Sequence, residues 1–310
     1  MEQVTIERIK EAAGRIAGVV RRTPVERSQW LAKELGRETW LKLECFQTTG
    51  SFKIRGAMAK LSGLSEEEKA RGILTVSAGN HGLAVAHCAE VLSLDATIVV
   101  PESASRAKVA SIRRYPVTLV ERGANYDEAE AMARRMEREM GATFVSPYND
   151  EDVIAGQGTI ALEIMEDAPP VDAILAPIGG GGLIAGIAIA AKAINPRVKI
   201  YGVEPAASPT MRESLRAGRI VEIEEEETLA DGLAGNIESG SMTFPIVRQL
   251  VDDIILVSEK SIADVIARVA REDHLIIEGS AAVSIAALGD PMLGRQRVAA
   301  VVTGRNISLD

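Results

Sequence analysis

The stretch Ala173-Ile174-Leu175-Ala176-Pro177-Ile178-Gly179-Gly180-Gly181-Gly182-Leu183 decides how the chain is read. Residues 172–177 form an apolar run of strand length. It passes through four consecutive glycines into a pattern that predicts a helix to about Ile194. Glycine permits positive φ and close approach of the backbone to a ligand. Backbone amides in such a turn, beside a helix N-terminus, make a cradle for an anion. Strand, glycine turn and helix together are one unit of an α/β fold with parallel strands.

The same alternation extends in both directions. Strands are predicted at 73–76, 96–100, 117–120, 199–203, 254–257 and 298–302. Helices are predicted at about 81–92, 107–114, 126–140, 261–273 and 279–288. The acidic run 222–227 reads as a solvated loop or an edge strand. No Pro/Gly/Ser-rich linker marks a boundary, and no internal repeat stands out. Both glycine-containing motifs that follow predicted strands, at 77–82 and 179–182, face the carboxyl ends of those strands, where open α/β sheets bind ligands.

Composition narrows the function classes. The 310 residues are 46% hydrophobic and 25% charged, ordinary for a globular protein. Aromatics make up only 3%, so the core must be built of Ile, Leu, Val and Ala. A net charge of −9 argues against a nucleic-acid partner, whose phosphates need a basic footprint. Two cysteines, Cys45 and Cys88, are expected to be packed thiols, and with three histidines they leave little for a transition-metal site. The longest apolar run, Leu183 to Ala191, is too short to span a bilayer. The N-terminus lacks a basic region followed by an apolar run, so a cytoplasmic protein with no membrane partner is expected.

Chemistry concentrates in Thr49-Gly50-Ser51-Phe52-Lys53-Ile54-Arg55-Gly56. Lys53 lies between Phe52 and Ile54, and desolvation there disfavours its ammonium form. A neutral lysine amine attacks carbonyls and forms Schiff bases. Alone, such a lysine usually extends its charge to solvent. Three further segments accompany it: Ser77-Ala78-Gly79-Asn80-His81-Gly82, Gly179-Gly180-Gly181-Gly182-Leu183 and Thr303-Gly304-Arg305-Asn306. Their order and spacing resemble the threonine/serine dehydratase family of pyridoxal phosphate (PLP) enzymes, of the tryptophan-synthase-β fold type. The resemblance covers nearly the whole chain and includes the linking segments 152–159 and 229–233.

The resemblance implies two open, parallel-type sheet domains flanked by helices, with PLP in the cleft between them. It places a smaller domain at 51–145, inserted into a larger one made of 1–50 and 146–310. Lys53 would be the covalent anchor and the base for the Cα proton, with Phe52 packed near the cofactor. Asn80 would meet the cofactor's 3′ oxygen. Gly179, Gly180, Gly181, Gly182 and Leu183 would hold its phosphate. Ser77, Ala78, Gly79, Asn80 and His81 would receive the substrate carboxylate, although His81 also reads as a plain helix-start residue. Thr303 would face the pyridine nitrogen. Its neutral hydroxyl leaves that nitrogen largely unprotonated, which suits β-elimination better than transamination.

The implied activity is dehydration and deamination of a small β-hydroxy-α-amino acid, L-threonine first and L-serine next, by a homodimer or homotetramer. Two enzyme alternatives stay open. Serine racemases carry a second serine where Ala78 stands, and alanine cannot exchange a proton. A 3-hydroxyaspartate ammonia-lyase would use Arg305, which replaces the usual glycine, to pair a second carboxylate; the competing reading gives Arg305 a salt bridge outside the pocket. A third possibility is a nucleotide-binding oxidoreductase. Gly180-x-Gly182-x-x-Ala185 fits a dinucleotide fingerprint, with Glu204 where a ribose-binding acid would sit. Glu204 also matches one residue of a divalent-cation site in some relatives, but Thr210 stands where a second carboxylate is needed, so no metal is expected.

Overall fold

The computed structural model describes residues 4–224 and 226–307. Among them are ten strands: β1 (Val25–Arg27), β2 (Thr39–Leu43), β3 (Ile73–Val76), β4 (Ala96–Val100), β5 (Thr118–Glu121), β6 (Thr143–Phe144), β7 (Ala173–Pro177), β8 (Lys199–Pro205), β9 (Asp253–Val257) and β10 (Val298–Val302). Six form one sheet in the order β1-β2-β10-β7-β8-β9 and four form a second in the order β5-β4-β3-β6. Every neighbouring pair is parallel except β1 on β2, so the larger sheet carries one antiparallel edge. Strands β7 and β10 are buried along their whole length. Their continuous apolar sequences, Ala-Ile-Leu-Ala-Pro and Val-Ala-Ala-Val-Val, are what a strand covered on both faces requires.

The predicted helices are present, several with ends displaced by one or two residues. The acidic run 222–227 has no strand among its described residues. Both cysteines are buried free thiols, as expected. No helix among the described residues is long and apolar enough to cross a membrane.

Helices Lys53–Ser62, Glu151–Asp167 and Gly182–Ile194 pack at glycine contacts. A methyl on Gly156 would sit 2.7 Å from Gly56 Cα, and one on Gly186 would sit 2.6 Å from the Gly158 backbone nitrogen. Helix Ile6–Ile16 joins them through Ile9, whose Cδ1 would lie 2.7 Å from a methyl on Gly158. Glycine in these helices costs intrinsic propensity. The return is backbone-to-backbone packing that no side chain allows.

Beneath the first turn of helix Lys53–Ser62 lies a closed set of charges. Arg55 is 1% exposed. It donates to Glu44 (2.8 and 2.7 Å), to Glu163 (2.7 and 2.8 Å) and to the Thr159 hydroxyl (3.0 Å). Lys42, also buried, pairs with Glu163 and donates to the Thr23 carbonyl at 2.7 Å. Thr23 in turn donates to Glu44 at 2.5 Å. Two cations thus face two carboxylates, and the neighbouring carboxylates hold the guanidinium in its charged form against burial. Removing one partner of such a set strands a buried charge, which costs about 3–5 kcal/mol. Arg55→Ala should lose stability of that order in a urea titration, whereas exposed Arg216→Ala should change it by less than about 0.5 kcal/mol.

Candidate active site

Two motifs from opposite ends of the chain interlock. Ser51 bridges Gly304 in antiparallel fashion. Phe52 N–H donates to the Thr303 carbonyl at 3.0 Å, and Arg305 N–H donates to the Gly50 carbonyl at 2.9 Å. Gly50 has φ +75°, and a methyl there would overlap the Asn306 side chain. A methyl on Gly304 would overlap the Glu278 carboxylate. The glycine in each motif therefore makes room for the other strand's partners.

Lys53 opens its helix. Its amine donates to the Pro147 carbonyl at 2.9 Å and lies 5.2 Å from the Phe52 ring centroid. Burial pulls its pKa down to about 8, and the nearby Glu278 carboxylate opposes that fall. Such an amine is partly neutral near physiological pH.

Asn80 opens helix Asn80–Leu92, directly after β3 and the turn 77–79. Its Nδ2 donates to Glu278 Oε1 at 2.8 Å, and its Oδ1 accepts from Asn306 Nδ2 at 2.6 Å. Ser77 Oγ accepts from Gly79 N–H at 3.1 Å, which shapes the turn. Ala78 is half-buried against the cluster that contains Ile112. His81 is buried, with Nε2 3.0 Å from the Val145 carbonyl. Burial, helped by the nearby Lys53 charge, lowers its pKa to about 3. It is a neutral group whose ring nitrogen is already engaged, in keeping with the helix-start reading.

The glycine cluster joins β7 to helix Gly182–Ile194. Gly181 has φ +89° and precedes the helix without a side-chain cap, so the amides of the turn are left for another acceptor. A methyl on Gly180 would enter the Tyr148 ring, and one on Gly182 would meet the Tyr148 carbonyl at 2.8 Å. Leu183 is buried behind the turn. Thr303, at the end of β10, is 3% exposed, and its hydroxyl, like those of Ser28, Thr49, Ser51, Ser208 and Ser284, has no hydrogen-bond partner among the described residues. What sets it apart from the other such hydroxyls is its place beside the Lys53 motif, where Phe52 N–H meets the Thr303 carbonyl, so it is available to a further polar group there.

Glu278, Pro147 and Tyr148 were not singled out in the sequence. Glu278 is 7% exposed, and burial raises its pKa to about 7. Its only sequence signal is a carboxylate immediately before the helix Gly279–Ala286, which reads as an ordinary cap. Glu204 has a different role from either expected one. Both its oxygens accept backbone N–H groups, from Met211 (2.8 Å) and Arg212 (2.9 Å), at the start of helix Thr210–Ala217. Among the described residues no cluster of metal-ligating side chains is present. Arg305 is exposed, with its guanidinium over the Phe46 ring at 5.8 Å to the centroid.

A desolvated lysine, an uncapped glycine turn and a buried orphan hydroxyl fit a cofactor with an aldehyde, a phosphate and a ring nitrogen. Comparison with known proteins agrees. The family model described as "Pyridoxal-phosphate dependent enzyme" matches residues 16–304. An L-threonine ammonia-lyase of Thermotoga maritima is 44% identical over 99% of this chain and 77% of its own. The solved structure of maize serine racemase superposes with a TM-score of 0.95 at 36% identity, covering 99% of this chain and 95% of that one. The solved structure of a threonine deaminase from T.th. gives a TM-score of 0.92 at 38% identity, with 99% of each chain covered.

The depressed pKa of Lys53 has a direct consequence for cofactor capture. At pH 7 an amine of pKa about 8 is about one-tenth neutral, against about four parts in ten thousand for an ordinary lysine. The rate of PLP uptake by apoprotein, followed by its visible absorbance, should climb about tenfold from pH 6 to 7 and level off above pH 8. A climb continuing to about pH 10 before levelling would show an unperturbed lysine.

Proposed function

The chain belongs to the pyridoxal-phosphate-dependent enzymes of fold type II, and from that premise we propose that it is an ammonia-lyase converting L-threonine, and L-serine next, to a 2-oxo acid and ammonia. The observation that carries the reading is Lys53, a half-buried, desolvated amine kept partly neutral and held by the Pro147 carbonyl. Names borne by relatives support the substrate class, since the Thermotoga protein is an L-threonine ammonia-lyase.

Lys53 would hold the cofactor, with Phe52 packed beside it, the Gly179–Gly182 amides and Leu183 around its phosphate, Asn80 at its 3′ oxygen and Thr303 at its ring nitrogen. When bound, the cofactor supplies an electron sink that acidifies the proton on the substrate's α carbon. Lys53 takes that proton, because a neutral amine released from its bond is a base of suitable strength. The turn Ser77–Gly79 and the N-terminal amides of helix Asn80–Leu92 receive the substrate carboxylate. His81 serves this turn by packing on Val145 rather than by moving a proton. The β hydroxyl leaves as water, its added proton balanced overall by the one Lys53 takes from the α carbon, and the product takes up a second water to give the oxo acid and ammonia. Thr303 contributes no charge at the ring nitrogen, which favours prompt loss of the leaving group.

The racemase alternative needs a proton donor on the opposite face, and Ala78 offers none. The 3-hydroxyaspartate alternative needs a cation in the pocket, and the Arg305 guanidinium is instead exposed over Phe46. We further propose that residues 51–145 and the combined 1–50 and 146–310 act as two domains around the site, in a cytoplasmic homodimer or homotetramer.

The purified protein should be yellow and should form 2-oxobutanoate from L-threonine. Lys53→Ala should lose both the colour and more than about a thousandfold in kcat/KM. Yellow protein inactive on threonine but fast on 3-hydroxyaspartate, or forming D-serine faster than pyruvate from L-serine, would replace the proposal with the corresponding alternative.

A further inference from the structure

Glu278 belongs to no motif named above, yet the side-chain hydrogen bonds of Asn80 lead to it, one directly and one through Asn306. The Thr49 carbonyl can only accept, so the Asn306 side-chain atom 2.9 Å away must be its amide nitrogen. That nitrogen spends its second hydrogen on Asn80, so the Asn80 atom facing it at 2.6 Å must be the carbonyl oxygen Oδ1. The Asn80 amide nitrogen is thereby turned to Glu278 Oε1 at 2.8 Å. The other oxygen, Glu278 Oε2, takes the backbone N–H of Asn306 at 3.1 Å. The ring Asn306–Asn80–Glu278 closes on itself, with the Thr49 carbonyl anchoring Asn306, and both neighbours of Glu278 are donors. Only a group that accepts at both ends fits between them. Nδ2 of Asn80 retains one hydrogen that no protein atom among the described residues takes.

We infer that Glu278 is a positioning residue that, with Asn306, fixes the Asn80 carboxamide so that it presents a donor, never an acceptor, to the ring oxygen of the cofactor. This rests on the reading above that Asn80 meets the cofactor. A freely turning asparagine would offer its oxygen or its nitrogen with similar ease, and half the orientations would oppose an anionic ring oxygen. The ring of three residues, anchored by the Thr49 carbonyl, removes that choice before the ligand arrives, at the cost of burying a carboxylate 7% exposed. It also accounts for two glycines: Gly304 leaves space for Glu278, and Gly50 leaves space for Asn306.

The test is the dissociation constant of PLP, read by visible absorbance in titrations of apoprotein, for Glu278→Gln, Asn306→Asp, Asn80→Ala and the double variant Asn80→Ala/Glu278→Gln. Glutamine is isosteric but sets an N–H against one of two N–H donors. Aspartate at 306 sets an oxygen against Asn80 Oδ1. Each single variant should bind PLP about tenfold more weakly, the loss of one well-placed hydrogen bond. Each should also shift the ratio of the visible bands, which a merely structural role would not do. In the Asn80→Ala background, Glu278→Gln should add nothing, because its effect travels through Asn80. Glu278→Gln and Asn306→Asp binding within twofold of the parent, while Asn80→Ala is weakened, overturns the inference alone. Additive losses in the double variant also overturn it. Asn80→Ala binding as tightly as the parent overturns the reading of Asn80 itself. Should Glu278→Gln melt far below the parent, Asn306→Asp carries the same comparison.

Discussion

Arg55 is the group from which the rest of the site takes its position. It sits two residues after Lys53, about 200° round the helix, so the two side chains leave the first turn on opposite sides. One side is tied to Glu44 after β2 and to Thr159 and Glu163 of helix Glu151–Asp167. The other carries the amine. A buried ion network of this kind contributes little net stability compared with an apolar core of the same shape. What it supplies here is a single arrangement. Two cations and two largely buried carboxylates have few ways to satisfy one another, and the arrangement they take fixes the helix turn that carries Lys53.

The glycines work as a second constraint. Helix propensity alone treats the Gly156 and Gly158 pair as a flaw. In the structure those positions let three helices approach backbone to backbone, and Gly50 and Gly304 let two distant segments cross over Glu278 and Asn306. Small residues at these crossings turn what would be side-chain packing, tolerant of shifts, into contact between main chains, which is not.

Much of this was legible in the sequence, and the reasons are specific. Strands buried on both faces announce themselves as unbroken apolar runs, so β4, β7 and β10 were read at or near their ends. Lys53 and the glycine turn stood out by residue type and setting, while Asn80 was singled out only through the resemblance to a known family. Helix Glu151–Asp167 escaped because its glycines look like loop. Short edge elements such as β1 and β6 have too few residues to carry a period. Glu278 escaped for another reason: its partners, Asn80 and Asn306, lie 198 and 28 residues away in the chain. A contact between distant polar side chains leaves no local pattern. Glu204 shows the converse, a strand residue at a suggestive spacing whose two oxygens are occupied by the start of the next helix.

Strand β10 lies in the middle of the larger sheet, between β2 and β7, although its residues are nearly the last described. During synthesis β2 and β7 therefore emerge long before the strand that joins them. Until residues 298–302 arrive, each has an open edge of unpaired backbone groups. The Thr303 hydroxyl, the space at Gly304 and the Asn306 amide arrive with that same strand. Completion of the sheet and assembly of the active centre are one event. The full set of side chains around Lys53 therefore comes together only when the strand that completes the larger sheet is in place.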